Sequence, residues 1–292
     1  MSDCMLCPRG CGADREGGAL GTCRMPAEIY VARIAPHYFE EPPISGTRGS
    51  GTVFFAGCAL GCVFCQNQEI SRGVVGEAMS EAALAEAILA LADTGVHNIN
   101  LVTGSHYTDT LARVLHTVKP HLKIPVVWNS SGYELPETLK LLEGLVDIYL
   151  PDFKYFSPEL ASVCSSVPDY ADFATAALRE MVRQTGAVVF DEEGMLRRGT
   201  VVRHLVLPGC RQDSVEVLRR IAESVPVADI RLSLMRQYTP DFAPPSAPKC
   251  LQRRVTSFEY DFVAAEAERL GFEGFLQEKS SATAAYTPKF TE

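Results

Sequence analysis

After Gly51 the chain alternates short runs of β-branched and apolar residues with longer stretches whose apolar positions recur at helical spacing, and this alternation fixes most of what it can become. Six strands are predicted, over residues 52–56, 98–103, 125–129, 147–151, 201–207 and 229–234. Helices are predicted between them over 81–93, 107–118, 136–143, 170–185 and 214–224. In the fourth helix Phe173, Ala174, Ala177, Leu178 and Met181 fall on one face, which marks core rather than function. Strands linked through helices run parallel, because the helix returns the chain to the starting end of the sheet. Six βα units are too few to close an eight-stranded barrel. The expected class is therefore α/β: a partial, laterally open (β/α)6 TIM-like barrel with a small N-terminal cysteine-rich, metal-binding extension. Residues 1–48 are assigned to the extension and 49–292 to the barrel. Smaller elements are a strand over 28–35, a surface hairpin over 187–198 with an acidic turn, a last helix over 257–270 and a short strand near Phe275.

With 292 residues the chain can bury one large core or two ordinary ones. Its formal charge of −9 gives no electrostatic footprint for a phosphate backbone, so no nucleic acid is expected as partner. The start Met1-Ser2-Asp3-Cys4 has neither the basic nor the apolar part of a leader, and no apolar run is long enough to span a membrane. A cytoplasmic protein with no membrane partner is expected. In that reducing compartment its ten cysteines point to metal ligation rather than disulfides.

Cys58, Cys62 and Cys65 follow the first barrel strand in the sequence Gly57-Cys58-Ala59-Leu60-Gly61-Cys62-Val63-Phe64-Cys65. Three thiolates this close can hold three irons of a cubane, and no other cysteine lies within 30 residues of them. The fourth iron is left open, and an open metal position is where a cofactor or substrate binds. The competing structural reading, a zinc knuckle, normally takes four ligands in two separated pairs.

The triplet at the end of a first strand, with Phe64 before its last cysteine, resembles the signature of the radical S-adenosylmethionine (SAM) enzymes. Together with Glu41-Pro42-Pro43-Ile44-Ser45-Gly46, Asp152-Phe153-Lys154-Tyr155 and Val202-Arg203-His204-Leu205-Val206-Leu207-Pro208-Gly209, it resembles the pyruvate formate-lyase activating enzyme-like proteins, in the branch with an extra cysteine-rich N-terminus. The resemblance implies a 4Fe-4S cluster on Cys58, Cys62 and Cys65, whose open iron takes the amino and carboxylate groups of SAM. Reductive cleavage then gives a 5′-deoxyadenosyl radical, and the oxidoreductase abstracts hydrogen from a protein substrate, as a glycyl-radical enzyme activase does. Another peptide or a small metabolite is the alternative substrate, and a non-catalytic zinc scaffold the remote one. The implied electron donor is a flavodoxin or ferredoxin. By the same resemblance Phe64 and the backbone near Leu234 and Met235 meet the adenine. Ser131, Lys154 and Arg203 meet the carboxylate or ribose, and Asn129 and Asp152 position SAM or hold a cation. Arg203, on an apolar strand, is expected to be held by SAM or by Asp152.

Two departures limit the match. Gly104-Ser105-His106 stands where the family has Gly-Gly-Glu, leaving backbone near Gly104 and Ser105 to meet the SAM amino group. Asn129-Ser130-Ser131-Gly132 replaces Asp-Thr-Asn-Gly and so lacks a carboxylate. His106 is read as a loop histidine beside the SAM methionine, whereas His204 alternates to the opposite face from Arg203. Cys4, Cys7, Cys11 and Cys23, spaced C-x2-C-x3-C-x11-C in a glycine-rich segment without its own core, are read as ligands of a second metal site, zinc or a further Fe-S cluster. Cys164 is read as buried packing, and Cys210 and Cys250 as thiols near the mouth.

Overall fold

The computed structural model describes residues 3–277 and 290. Met1, Ser2 and the remaining positions of the 49–292 span lie outside the described residues. Among the described residues there are ten strands: β1 (Ile29–His37), β2 (Ser50–Phe55), β3 (Glu77–Met79), β4 (Ile99–Val102), β5 (Val126–Ser130), β6 (Ile148–Pro151), β7 (Val189–Phe190), β8 (Leu196–Leu205), β9 (Ile230–Met235) and β10 (Gly274–Leu276). Nine follow one another in the order β10-β9-β8-β6-β5-β4-β2-β1-β3, and β7 pairs off this path with β8. From β2 to β10 every neighbour in this order is parallel, so the six expected strands form the barrel wall and β10 adds a seventh. The result is the laterally open α/β barrel. β1 pairs antiparallel with β2 across six partnered positions, so the sheet does not break at residue 48. β3, which carries no alternating signal in its three residues, pairs antiparallel with β1.

Six helices flank the wall: α1 (Glu81–Asp93), α2 (Thr108–Val118), α3 (Pro158–Ser165), α4 (Tyr170–Thr185), α5 (Arg211–Ser224) and α6 (Ser257–Arg269). Local caps set several of their starts. The Ser80 hydroxyl accepts from the Ala83 amide and the Ser157 hydroxyl from the Leu160 amide, while Thr256 and Glu259 form a reciprocal capping box. The expected helix over 136–143 is instead a single turn, Pro136–Leu139, tightening into a 3-10 turn over Lys140–Leu142. α3 was not foreseen, since its eight residues carry only a short apolar pattern. Among the described residues no helix is long and apolar enough to cross a membrane.

Alternation along the strands assigns the two faces. Val126 and Trp128 of β5 pack outward with Leu111 and Leu115 of α2. Val127 points inward with Ile148 and Leu150 of β6 and Val201 of β8, and there all four meet Ile44. Ile44 is fully buried and belongs to the helical turn Pro42–Ser45. This turn is thus a plug beneath the barrel, tied by the Asn98 side-chain amide to the Ile44 carbonyl at 2.7 Å. Filling this floor leaves the space near the C-terminal strand ends open above it.

Candidate active site

That space is a cavity of about 800 Å³ at the strand ends. The loop after β2 contributes Cys58, Cys62, Phe64 and Cys65, β5 contributes Asn129, and Ser131 follows directly after β5. Asp152 and Lys154 enter from the end of β6, Arg203 from β8 and Met235 from β9. Ten of the residues singled out from the sequence therefore line one wall-to-wall space. Gly104 and Ser105 do not line it. A side-chain carbon at Gly104 would lie 2.6 Å from Leu111 and 3.1 Å from Trp128, on the outer face. Ser105, on the 3-10 turn Ser105–Tyr107, instead meets the buried Glu134 carboxylate. His106 is buried with its Nε2 2.8 Å from the Ala56 carbonyl oxygen, and burial pushes it down to about 3. His204 faces away as the alternation requires, its Nδ1 2.7 Å from the Phe153 carbonyl. A second hollow of about 700 Å³, lined by His97, Arg231 and Glu273, contains no cysteine.

The triplet loop is held by backbone and by sulfur contacts. The Cys65 amide donates to the Cys62 carbonyl at 3.2 Å and the Val63 amide to the Cys164 carbonyl at 2.9 Å. The Leu60 amide meets the Cys58 sulfur at 3.4 Å, and the Ser165 hydroxyl donates to the Cys62 sulfur at 3.1 Å. Burial pushes Cys65 up to about 12 and Cys58 up as well. Thiols in such surroundings keep their protons unless a cation replaces them, and three cysteines lining one cavity are a donor set that would suit iron of a cluster. Cys164 is fully buried, while Cys210 and Cys250 are half-buried and line neither space.

The charges pair differently from expectation. Arg203 is not held by Asp152. Its Nε donates to Glu41 at 2.8 Å, its Nη2 to the other Glu41 oxygen at 2.5 Å and also to Glu40. The reason is the plug, which lifts both carboxylates to the cavity floor, where they are cavity-lining residues. Asp152 instead takes Lys154, Nζ to Oδ2 2.5 Å. Burial opposes the charge on each cation, but the neighbouring carboxylates outweigh it and hold both protonated. Sequence reasoning assigned no site role to Glu40 or Thr103, and none to Glu41 beyond its motif. Thr103 lines the cavity with φ +61, a left-handed conformation that costs a β-branched residue strain. Adjacent acids before Pro-Pro were a visible signal for Glu40 and Glu41; nothing in the sequence announced Thr103.

The four N-terminal cysteines converge. A side-chain carbon at Gly21 would lie 3.2 Å from the Cys23 sulfur and 3.4 Å from that of Cys11. Cys4 reaches the side chain of Cys11, and burial pushes Cys7 up to about 11. Among the described residues no three Cys, His, Asp or Glu side chains are spaced for a single ion. Arg15 fastens this lobe to the barrel by donating to the carbonyls of Met25, Pro26 and His106 at 3.1, 2.6 and 2.6 Å.

An open α/β barrel carrying a cysteine triplet and a polar cavity at its strand ends defines an iron–sulfur enzyme class. The sequence profile of the Radical SAM superfamily matches residues 52–231, and the chain belongs to that family. It is a radical SAM enzyme, and the family's cofactors are a 4Fe-4S cluster and SAM. The chain is similar to an uncharacterized protein of Methanocaldococcus jannaschii, 29% identical over 280 residues that cover 92% of this chain and 75% of the relative. Among solved structures it is similar to methylornithine synthase, with TM-score 0.49 and 17% identity over 73% of this chain and 58% of that one. It is also similar to a radical SAM methyltransferase of Kitasatospora setae, with TM-score 0.42 and 16% identity over 61% of this chain and 35% of that one. The chain thus spans about a third to three fifths of those two structures, and neither likeness bears on its substrate.

Proposed function

We propose that this radical SAM enzyme abstracts hydrogen from a protein substrate, in the manner of a glycyl-radical enzyme activase, using an electron delivered by a flavodoxin or ferredoxin. The observation that carries the site is the shared cavity of Cys58, Cys62, Cys65, Lys154 and Asp152. The cluster and SAM, when bound, supply the electron transfer and the organic radical. The chain's own part is to hold and orient them. Cys58, Cys62 and Cys65 hold three irons, and Phe64 and Met235 offer apolar surface to an adenine. Lys154, half-buried and charged beside Asp152, gives a carboxylate a fixed cation. Thr103, with its left-handed backbone, lines the cavity beside Gly104 and Ser105, the residues expected to meet an amino group through backbone. A cavity of about 800 Å³ accommodates a cofactor of drug size and little more, so a protein substrate would present a loop rather than a domain. Support for a protein substrate is the ordered set of motifs from Glu41 to Gly209 that resembles the activating enzymes.

The test is anaerobic incubation of reconstituted protein with SAM, reductant and glycine-deuterated candidate proteins or peptides, followed by mass analysis of 5′-deoxyadenosine. Deuterium in the nucleoside supports the reading. Transfer from a small metabolite, with none from any peptide, overturns it in favour of the alternative substrate class.

A further inference from the structure

A chain of hydrogen bonds runs from the cysteine-rich lobe into the sulfur of Cys62. It begins at Arg9, between Cys7 and Cys11. Its Nε donates to the Ala59 carbonyl at 2.8 Å and one terminal nitrogen to the Leu60 carbonyl at 3.3 Å, both inside the triplet loop. The same guanidinium donates to the carbonyls of Ser165 and Ser166 at 2.8 Å each, where α3 ends. One side chain thereby staples two loops that are far apart in sequence. The Ser165 hydroxyl points the other way, donating to the Cys62 sulfur at 3.1 Å, and lies 2.9 Å from the buried Tyr155 hydroxyl. Ser166 is left-handed, φ +55, so the end of α3 is strained. Arg9 meets the carbonyl of that strained residue.

We propose that Arg9 is a positioning residue, and that through Ser165 the cysteine-rich lobe sets the reduction potential of the cluster. This rests on the reading of Cys62 as a cluster ligand. A hydrogen bond to a ligand sulfur favours the more negative, reduced state and so raises the potential. The hydroxyl can do this only while the end of α3 is fixed relative to the triplet loop. The planar, multi-donor guanidinium is suited to that fixing; an ammonium, with its donors at one point, is not.

The test is redox titration of the full, anaerobically reconstituted chain, with the reduced cluster followed by electron paramagnetic resonance. At a poise where the unaltered protein is half reduced, Ser165→Ala lowers the ratio of reduced to oxidised cluster about tenfold, ~59 mV for one electron. Arg9→Met moves it in the same direction by less, Arg9→Lys only partly restores it, and Arg9→Met shifts it less on the Ser165→Ala background than alone, because part of its effect runs through Ser165. Iron content and circular dichroism stay unchanged, which a general loss of structure would not allow. Unshifted potentials in Ser165→Ala overturn the proposal. A shift in Ser165→Ala with none in Arg9→Met overturns the role of Arg9. Cys62→Ala is assayed in parallel, and full cluster retention there overturns the ligand reading on which the proposal rests, an outcome distinct from an unshifted potential.

Discussion

Arg203 and Glu41 meet as a two-point ion pair on the cavity floor, Nε to Oε1 2.8 Å and Nη2 to Oε2 2.5 Å. Glu41 is buried and Arg203 half-buried, and Glu40 joins the same guanidinium. The pair links the plug under the barrel to strand β8, so it joins fold to site. Because Arg203 has protein partners, its first duty is to compensate two carboxylates that would otherwise be desolvated alone.

Arg203→Ala is therefore expected to destabilise the chain by about 3–5 kcal/mol, the cost of stranding buried charge. Urea denaturation at pH 7 checks this. The pH dependence has a definite sign. Burial would raise Glu41, but Arg203 outweighs it and holds the carboxyl below its usual range. Its contribution is present above the ordinary carboxylate pKa of about 4.3 and disappears as pH falls through the lower folded value. The Arg203→Ala protein should lose this part of the acid-side slope; an identical slope in both proteins would contradict the pairing.

The triplet gives a second expectation. Replacing Cys58, Cys62 or Cys65 by Ala should abolish formation of 5′-deoxyadenosine while the barrel stays folded, because the core of β5, β6 and β8 with Ile44 lies beneath the loop. Iron analysis and nucleoside chromatography of Cys62→Ala decide it. Wild-type product from that variant would remove the cluster assignment.

What was legible in the sequence follows from which signals are local. Helical and strand periods exposed the barrel wall, and the spacing of Cys58, Cys62 and Cys65 exposed the chemistry. The partner of Arg203 was not legible, since Glu40 and Glu41 come from 162 or more positions away through a plug with no periodic pattern. Gly104 and Ser105 follow Thr103 in the chain, but of the three only Thr103 lines the cavity, a distinction that depends on the turn and not on residue type. Arg9 and Ser165 meet across 156 positions, and neither carries any mark of that contact.

For the N-terminal quartet we propose that Cys4, Cys7, Cys11 and Cys23 take up zinc or a further Fe-S cluster that stabilises the lobe. A variant with Cys58, Cys62 and Cys65 all changed to Ala should still purify with metal. Chelation should then lower its melting temperature. Absence of both zinc and iron from that protein would leave the four as free thiols.

Two glycines of the triplet loop separate backbone strain from packing. Gly57 and Gly61 both have positive φ, +83 and +63, so Ala at either pays the left-handed penalty of about 1–2 kcal/mol. They differ in what a side-chain carbon would meet. At Gly61 nothing lies within 4 Å, whereas at Gly57 the Met25 side chain is 2.3 Å away and the Cys23 carbonyl oxygen 2.7 Å. Met25 could turn aside, but the Cys23 carbonyl is backbone and accepts from the Cys58 amide at 3.3 Å. Gly57→Ala must therefore part the cysteine-rich lobe from the triplet loop. It should cost about 1–3 kcal/mol more than Gly61→Ala, measured by urea denaturation of the two variants side by side. Equal losses would mean that the lobe does not bear on the loop at Gly57 in solution.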